Sequence, residues 1–519
     1  MEVPLLVGDF LRRAAKLYPN KTAIVDGDSR YTYAQFRDRV NQMARLLQKL
    51  GVKPGERICI LSPNSHYFLE SYYAVPQVGA ILVLLNYRLL AEDIEYMISH
   101  AGVRTMLVDW GSVDVIDGLR PNLPGVLDFI SAEDGGSPKD GWHDWDQLIA
   151  NESTAVTPEL QIAEHDICSI NYTFGTTARP KGVMLTHRNA YNFIAHARIT
   201  HEDVEMWTLP MFHANGWGGP YALTATHAVL RAVVAEDIFN LIEAEKVTFA
   251  SMAPAVRNTI LGYEDGAKYN TTTRPRFMVA GAPAPAAFIQ HLEEELGWES
   301  MQIYGLTETS PIVTVSLPDY HNQDGKDYER RARVGVEAIG VHIQIFDDDG
   351  NAVPMDGETV GEICARSNVI IKGYWEQPEV TEKEIVDGYF RTGGLAVWDE
   401  FANVNIVDRK KDIIISGGEN VSSAEVEAAL YQHEGVLECA VIGVPSEKWG
   451  ETPKALVVMR DGMSSTEEDM IAFTRHHLAH FKCPTSIDFV DALPRTVTGK
   501  LQKFVLRDRY WAGQKRRVN

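Results

Sequence analysis

Between Thr32 and Val108 the apolar residues alternate between two spacings, and this alternation restricts the fold more than any other feature of the sequence. Thr32 followed by Gln35 fits a helix capping box, and Phe36, Val40, Met43, Leu47 and Leu50 fall on one helical face before Gly51. A short apolar strand is predicted at 57–61, a helix over 67–78 that stops by Gly79, a strand at 81–85, a helix over 91–100 and a strand at 105–108. Strands with no polar alternation are buried on both faces, so helices must cover both sides of the sheet. The predicted class is therefore α/β, layered.

The same rhythm resumes at 168–172, 206–209, 248–252, 277–279 and 301–304, and several of these strands end in polar or glycine-rich loops. In open α/β sheets such strand ends are where ligands collect. From 335 to 406 the pattern changes to short strands broken by glycine and acidic turns, such as 343–346 before Asp347 to Gly350, which predicts a β-rich subdomain. The polar stretches 132–141 and 320–330 read as surface loops. Beyond Asp408 a new unit begins, with strands at 413–415, 437–442 and 455–458 and helices over 423–431 and 467–478. The expected domains are thus 1–409, containing the β-rich 335–406, and a small α+β domain over 410–519.

Composition removes several classes of function. The net charge of -22, from 49 basic and 71 acidic residues, repels nucleic acid and anionic lipid, so a polyanionic ligand needs a local basic pocket. No apolar run approaches the length of a membrane span, and the first residues lack the pattern of a secretory leader, so the expected compartment is the cytoplasm. Five scattered cysteines without a CxxC pair predict neither a disulfide framework nor a zinc site.

The strongest local signal is Tyr172-Thr-Phe-Gly-Thr-Thr-Ala-Arg-Pro-Lys-Gly182. Small residues after a strand let backbone N–H groups and the hydroxyls of Thr173, Thr176 and Thr177 converge on an anion, and Lys181 supplies a mobile positive charge. The spacing is not that of a Walker A loop. Seven further segments accompany it in order: 184–189 (MLTHRN), 280–283 (AGAP), 304–308 (YGLTE), 389–393 (YFRTG), 408–412 (DRKKD), 416–420 (SGGEN) and 493–500 (LPRTVTGK). Together they resemble the AMP-forming adenylating superfamily of acyl-CoA synthetases, peptide-synthetase adenylation domains and luciferases, over nearly the whole chain and closest to the fatty-acyl-CoA ligase type.

That resemblance implies a large N-terminal domain of layered α/β subdomains and a mobile C-terminal domain hinged near Lys411. It places Thr173, Gly175, Thr176, Thr177, Ala178 and Lys181 against the ATP phosphates. Gly281, Ala282 and Pro283 with Tyr304 and Gly305 form an adenine slot, Thr307 touches the α-phosphate, and Glu308 holds Mg2+, for which a carboxylate is a fitting ligand. Lys500 aligns the substrate carboxylate with the α-phosphorus in the adenylation pose. Arg409 lies near the ribose and phosphate, and Gly417, Gly418 and Glu419 line the pantetheine tunnel of coenzyme A. The segment Met211 to Trp217 lines the acyl site with His213 as its gate, and Trp207, Met211, Phe212 and Trp217 suggest an apolar acyl group.

Three positions depart from the pattern: Phe174 stands where the family has Ser or Thr, Ala178 where it has Gly, and Gly394 where it has the aspartate that accepts the ribose hydroxyls. All three weaken the expected grip on ATP. The leading expectation is a two-step acyl-CoA ligase that takes a carboxylic acid, ATP and CoA. The second is a ligase that mainly transfers an acyl group to CoA from an acyl adenylate made by a partner enzyme. The third is an acyl- or nucleotide-binding protein without catalysis. The residues set neither the acyl group nor the oligomeric state, and a carrier-protein thiol is the alternative acceptor.

Overall fold

The computed structural model describes residues 3–132, 137–157, 160–173, 179–191, 199–221, 224–252, 256, 259–260, 263–269, 273–280, 286–316, 327–416, 419–446, 448–495 and 501–512. The chain forms two compact units, one of Met1–His342 with Ala365–Phe390 and the other of Ile343–Cys364 with Arg391–Asn519. Compactness thus divides the chain differently from the motifs, which place the boundary after Arg409.

The first unit holds two sheets. In one, strand Arg57–Leu61 lies between Ile81–Leu85 and Val103–Asp109, all parallel, with Ile60 beside Leu84 and Leu107. This sheet continues through Ile167–Thr173 and Lys181–Thr186 to an edge at Gly373–Tyr374. The other runs in the order Val336–Glu337, Thr314–Val315, Glu299–Tyr304, Arg276–Val279, Phe249–Met252, Val204–Trp207, Thr226–Val229, Thr22–Asp26 and Ser29–Thr32. The helix over Tyr33–Lys49 starts where expected. Thr32 accepts from the Gln35 N–H at 3.3 Å, and Gln35 Oε1 accepts from the Thr32 N–H at 2.8 Å. Phe36, Val40, Met43 and Leu47 are buried on its inner face. Ser65 caps the next helix, His66–Gln77, by accepting from the Phe68 N–H.

Some sequence expectations change. The strand expected at 206–209 occupies Val204–Trp207, because Leu209 and Trp207 carbonyls are taken by Asn64. Part of the expected 320–330 loop is helical over Tyr328–Arg331, where Asp327 caps the turn and Arg331 is buried in an ion pair with Glu293. Residues 320–326 and 133–136 of the two expected loops lie outside the described residues.

The 335–406 region is built of short strands, including Val341–Phe346, Gly361–Ser367 and Tyr389–Trp398. In the second unit Gly394 pairs with Arg409 across the antiparallel strands Tyr389–Trp398 and Val404–Arg409. A further sheet there is dominated by the hairpin Val436–Ser446 and Gly450–Met459, longer than expected. Its first strand is an edge, where Pro445 is tolerated because an edge strand need not donate on both sides. Helices Ser423–Leu430 and Glu467–His477 pack their Val426, Leu430 and Met470 onto Val441 and Val457. All five cysteines are buried and unpaired, and no helix of the described residues is long and apolar enough to cross a membrane.

Candidate active site

The segment expected to bind an anion begins on one strand, Ile167–Thr173, and ends on its antiparallel partner, Lys181–Thr186. Thr173 stands opposite Lys181 and Tyr172 opposite Gly182 across two antiparallel strands. Phe174, Gly175, Thr176, Thr177 and Ala178 lie outside the described residues. Lys181 is fixed by strand register. A side chain at Gly182 would put its Cβ 3.1 Å from Ile170 Cγ2 and 3.2 Å from Trp375 Cβ, so glycine admits the neighbouring strand. Trp375 donates its N–H to the Gly182 carbonyl at 2.7 Å and its indole N–H to the His100 carbonyl at 3.3 Å. Two residues before Lys181, the Arg179 guanidinium lies 4.8 Å from the Tyr96 ring centroid.

Glu308 approaches the same place from the other sheet. Strand Glu299–Tyr304 ends at Gly305, where a Cβ would fall 1.5 Å from the Pro311 carbonyl oxygen, so only glycine allows the turn to close. The tight turn Thr307–Thr309 follows, and Thr309 Oγ1 accepts from the Leu306 N–H at 2.9 Å. The Glu308 carbonyl accepts from the Ile371 N–H at 3.1 Å, and its carboxylate Oε1 accepts from the Tyr374 hydroxyl at 3.1 Å. Lys181 Nζ lies 5.2 Å from the centroid of that same Tyr374 ring. Burial, and then the Glu308 charge, push the Tyr374 hydroxyl far above the usual phenol range, so it remains a proton donor. Tyr304 and Thr307 sit at the head of this turn, with Thr307 buried.

The expected acyl segment is an unusual turn. Ala214, Asn215 and Gly216 all have positive φ, at 47°, 58° and 59°. Two of these are not glycine, a conformation that costs energy and persists only when its surroundings hold it. Buried groups do so here. Tyr72 donates to the Met211 carbonyl at 2.5 Å, Tyr73 to the Pro220 carbonyl, and Tyr33 to the Ala225 carbonyl. Asn64 Oδ1 accepts from the Met211 N–H at 2.7 Å, and Asn171 Oδ1 accepts from the Asn215 N–H at 2.8 Å. Met211, Phe212 and Trp207 are buried, while His213 is partly exposed.

In the second unit, Gly394 and Arg409 are strand partners. The neighbouring Glu362 carboxylate accepts from the Gly393 N–H at 3.2 Å and from Arg391 at 2.9 Å. Burial, and then Arg409, lower the affinity of the Lys411 amine for its proton. Glu419 pairs with Ser416 between two short antiparallel strands, while Gly417 and Gly418 lie outside the described residues. So do Lys500, and Gly281, Ala282 and Pro283 of the expected adenine slot.

The family described as AMP-binding enzyme matches residues 11–375, and the AMP-binding enzyme C-terminal domain matches residues 425–500. The chain belongs to the AMP-binding enzyme family. This AMP-binding enzyme is 36% identical over 523 residues to 4-hydroxybutyrate–CoA ligase 2 of Metallosphaera sedula, covering 97% of this chain and 94% of the relative. It is 35% identical over 546 residues to the peroxisomal benzoate–CoA ligase of Arabidopsis thaliana, covering 98% and 93%. Among solved structures it matches the anthranilate CoA ligase AuaEII in complex with anthranoyl-AMP, with a TM-score of 0.89, 27% identity and 98% of both chains covered. It is an AMP-forming acyl-CoA ligase, whose substrates are a carboxylic acid, ATP and CoA. The relatives do not all share the cytoplasm expected from the sequence, since the Arabidopsis protein is named peroxisomal.

Within this AMP-binding enzyme the sequence named Lys181 and Glu308 but not the tyrosine between them. Gly373–Tyr374 is a two-residue strand, too short for any periodicity, and it reaches the site only by pairing with Lys181–Thr186 at the sheet edge. Tyr72 was likewise legible only as a core aromatic, although its hydroxyl donates to Met211 of the expected acyl segment.

Proposed function

We propose that the enzyme performs both half-reactions itself, on a small carboxylic acid of largely apolar character. In the first, a carboxylate oxygen bonds to the ATP α-phosphorus and the bond to pyrophosphate breaks. In the second, the coenzyme A sulfur bonds to the acyl carbon, AMP leaves with the bridging oxygen, and the thiol proton passes to solvent. The observation that carries this reading is that Lys181 and Glu308, which come from different sheets, both reach Tyr374, the carboxylate at its hydroxyl and the ammonium 5.2 Å from its ring centroid. A basic group and a carboxylate that share one buried tyrosine suit a magnesium nucleotide better than either suits a neutral ligand.

Glu308 would hold Mg2+, whose charge would offset that developing on the phosphates. No group of three or more His, Cys, Asp or Glu among the described residues is placed to hold a metal. Glu308 alone, completed by phosphate oxygens and water, fits the habit of magnesium at nucleotide sites. Lys181 with Thr173, Gly175, Thr176, Thr177 and Ala178 would grip the phosphates, and Gly281, Ala282, Pro283, Tyr304, Gly305 and Thr307 the adenosine and α-phosphate. Lys500 would align the carboxylate, and His213 would gate the acyl site. Movement about Lys411 would exchange Lys500 for the pantetheine passage at Gly417, Gly418 and Glu419, with Arg409 near the ribose. Trp207, Met211 and Phe212, all buried, support an apolar acyl group.

A second reading, in which the enzyme mainly uses an adenylate made by a partner, is supported by Gly394, where no side chain can accept ribose hydroxyls. Two assays separate the readings. The first measures pyrophosphate released from ATP, Mg2+ and a panel of acids, and the second measures thioester formed from synthetic acyl adenylates and CoA. Pyrophosphate release supports the complete cycle, and thioester from adenylates without pyrophosphate from ATP supports the divided one. Gly394→Asp combined with Phe174→Ser and Ala178→Gly is expected to strengthen ATP use. Unchanged ATP use would refute the assigned cost of those three residues.

A further inference from the structure

We infer that Tyr374 is a positioning residue that couples the phosphate-gripping lysine to the cation-holding carboxylate, an inference that rests on the roles proposed above for Lys181 and Glu308. Tyr374 is only 5% exposed, yet it makes two polar contacts, one through its hydroxyl and one through its ring. Its hydroxyl donates to Glu308 Oε1 at 3.1 Å, and its ring face lies 5.2 Å from Lys181 Nζ. Direct attraction between lysine and carboxylate would draw them together and spend both charges. An intervening phenol keeps them apart while holding each, so that a magnesium nucleotide meets a cation and an anion already aimed.

The backbone around Tyr374 is fixed for this task. Its N–H donates to Thr381 Oγ1 at 2.9 Å, and Trp375 bonds to Gly182 on the lysine's own strand. Tyr374 also stands opposite Val183 in the strand pairing, two residues from Lys181. The Glu308 main chain is anchored to the same segment through the Ile371 N–H. Gly373, with φ of 148° and a Cβ position 2.9 Å from Thr381, packs against the helix that follows. The tyrosine is thus held from both sides by backbone bonds, as a group that orients a metal ligand must be.

The test is the magnesium dependence of ATP-induced thermal stabilisation, measured without acid or CoA. Tyr374→Phe keeps the ring under Lys181 and removes the hydroxyl. It should raise the magnesium concentration at half-maximal stabilisation by about tenfold, in the range seen for partners of metal ligands. Glu308→Gln should raise it at least as much, and the double variant should do no worse than Glu308→Gln, because both changes break one interaction. Tyr374→Leu removes the ring as well and should also weaken ATP binding at saturating magnesium by about fivefold, the worth of a modest cation–π contact. An unshifted midpoint in Tyr374→Phe beside a shifted one in Glu308→Gln overturns the inference and leaves the role of Glu308 intact. Additive losses in the double variant also overturn it, since a merely structural tyrosine would act independently. An unshifted midpoint in Glu308→Gln overturns both.

Discussion

Replacing Gly305 by alanine tests whether the active-site turn depends on one missing side chain. The new Cβ would lie 1.5 Å from the Pro311 carbonyl oxygen and 2.6 Å from its carbon, both backbone atoms. That is about 2 Å short of an ordinary contact, so main chain must move. The movement has few outlets, because Thr309 Oγ1 bonds within the turn and Tyr304 pairs with Thr314. Overpacking of this kind costs about 1–3 kcal/mol, which in a chain of this size lowers the melting temperature by only about 1–3 °C. Glu308 rides on the displaced turn, three residues along. A displacement of about 1 Å at a reacting group costs on the order of a hundredfold in rate. We therefore expect acid-dependent pyrophosphate release to fall about a hundredfold or more, with circular dichroism retained. Gly118→Ala is the control. It lies in the helix Val113–Leu119 with nothing within 4 Å of its Cβ position, and should stabilise by about 0.5–1 kcal/mol without changing the rate. If Gly305→Ala kept its rate within about threefold, the reasoning would be refuted.

Two further outcomes follow from buried groups. Burial lowers the His187 pKa from 6.5 to about 4, and its neutral Nδ1 accepts the Val7 N–H at 3.3 Å. The unfolded chain therefore binds the extra proton first, so this stability is complete above pH 6.5 and is lost as pH falls towards 4. The loss is worth roughly 3 kcal/mol for a shift from 6.5 to about 4. Denaturant unfolding between pH 7 and 4 should show this slope in the natural protein and a shallower one in His187→Asn, and equal slopes would contradict it. Tyr72→Phe strips the donor from the buried Met211 carbonyl and should cost about 1–3 kcal/mol. It should also raise the KM for the acid more than that for ATP, whereas equal changes in both would count against a role for Tyr72 in shaping the acyl segment.

The layered architecture was legible because helix caps and spacing are local. Thr32 and Gln35 form the capping box their order suggests, and the runs at 57–61 and 81–85 are strands. What escaped was set by distant partners. The helix Tyr328–Arg331 owes its place to an ion pair with Glu293, and the hairpin extending to Ser446 and Gly450 runs through glycine and proline because its first strand is an edge. At the site, Lys181 and Glu308 could be named from motifs, since their neighbours in sequence carry the pattern. Tyr374 could not, because its importance lies in a pairing between the end of one sheet and a turn leaving the other.

The central claim is that the acid is activated through a bond between its own oxygen and the α-phosphorus of ATP. The most direct measurement uses an acid labelled with oxygen-18 in its carboxylate, incubated with ATP, Mg2+, CoA and enzyme until thioester accumulates. One labelled oxygen should appear in AMP for each thioester formed, with the other kept in the acyl group. Thioester formed alongside unlabelled AMP, or label found in inorganic phosphate, would contradict the account.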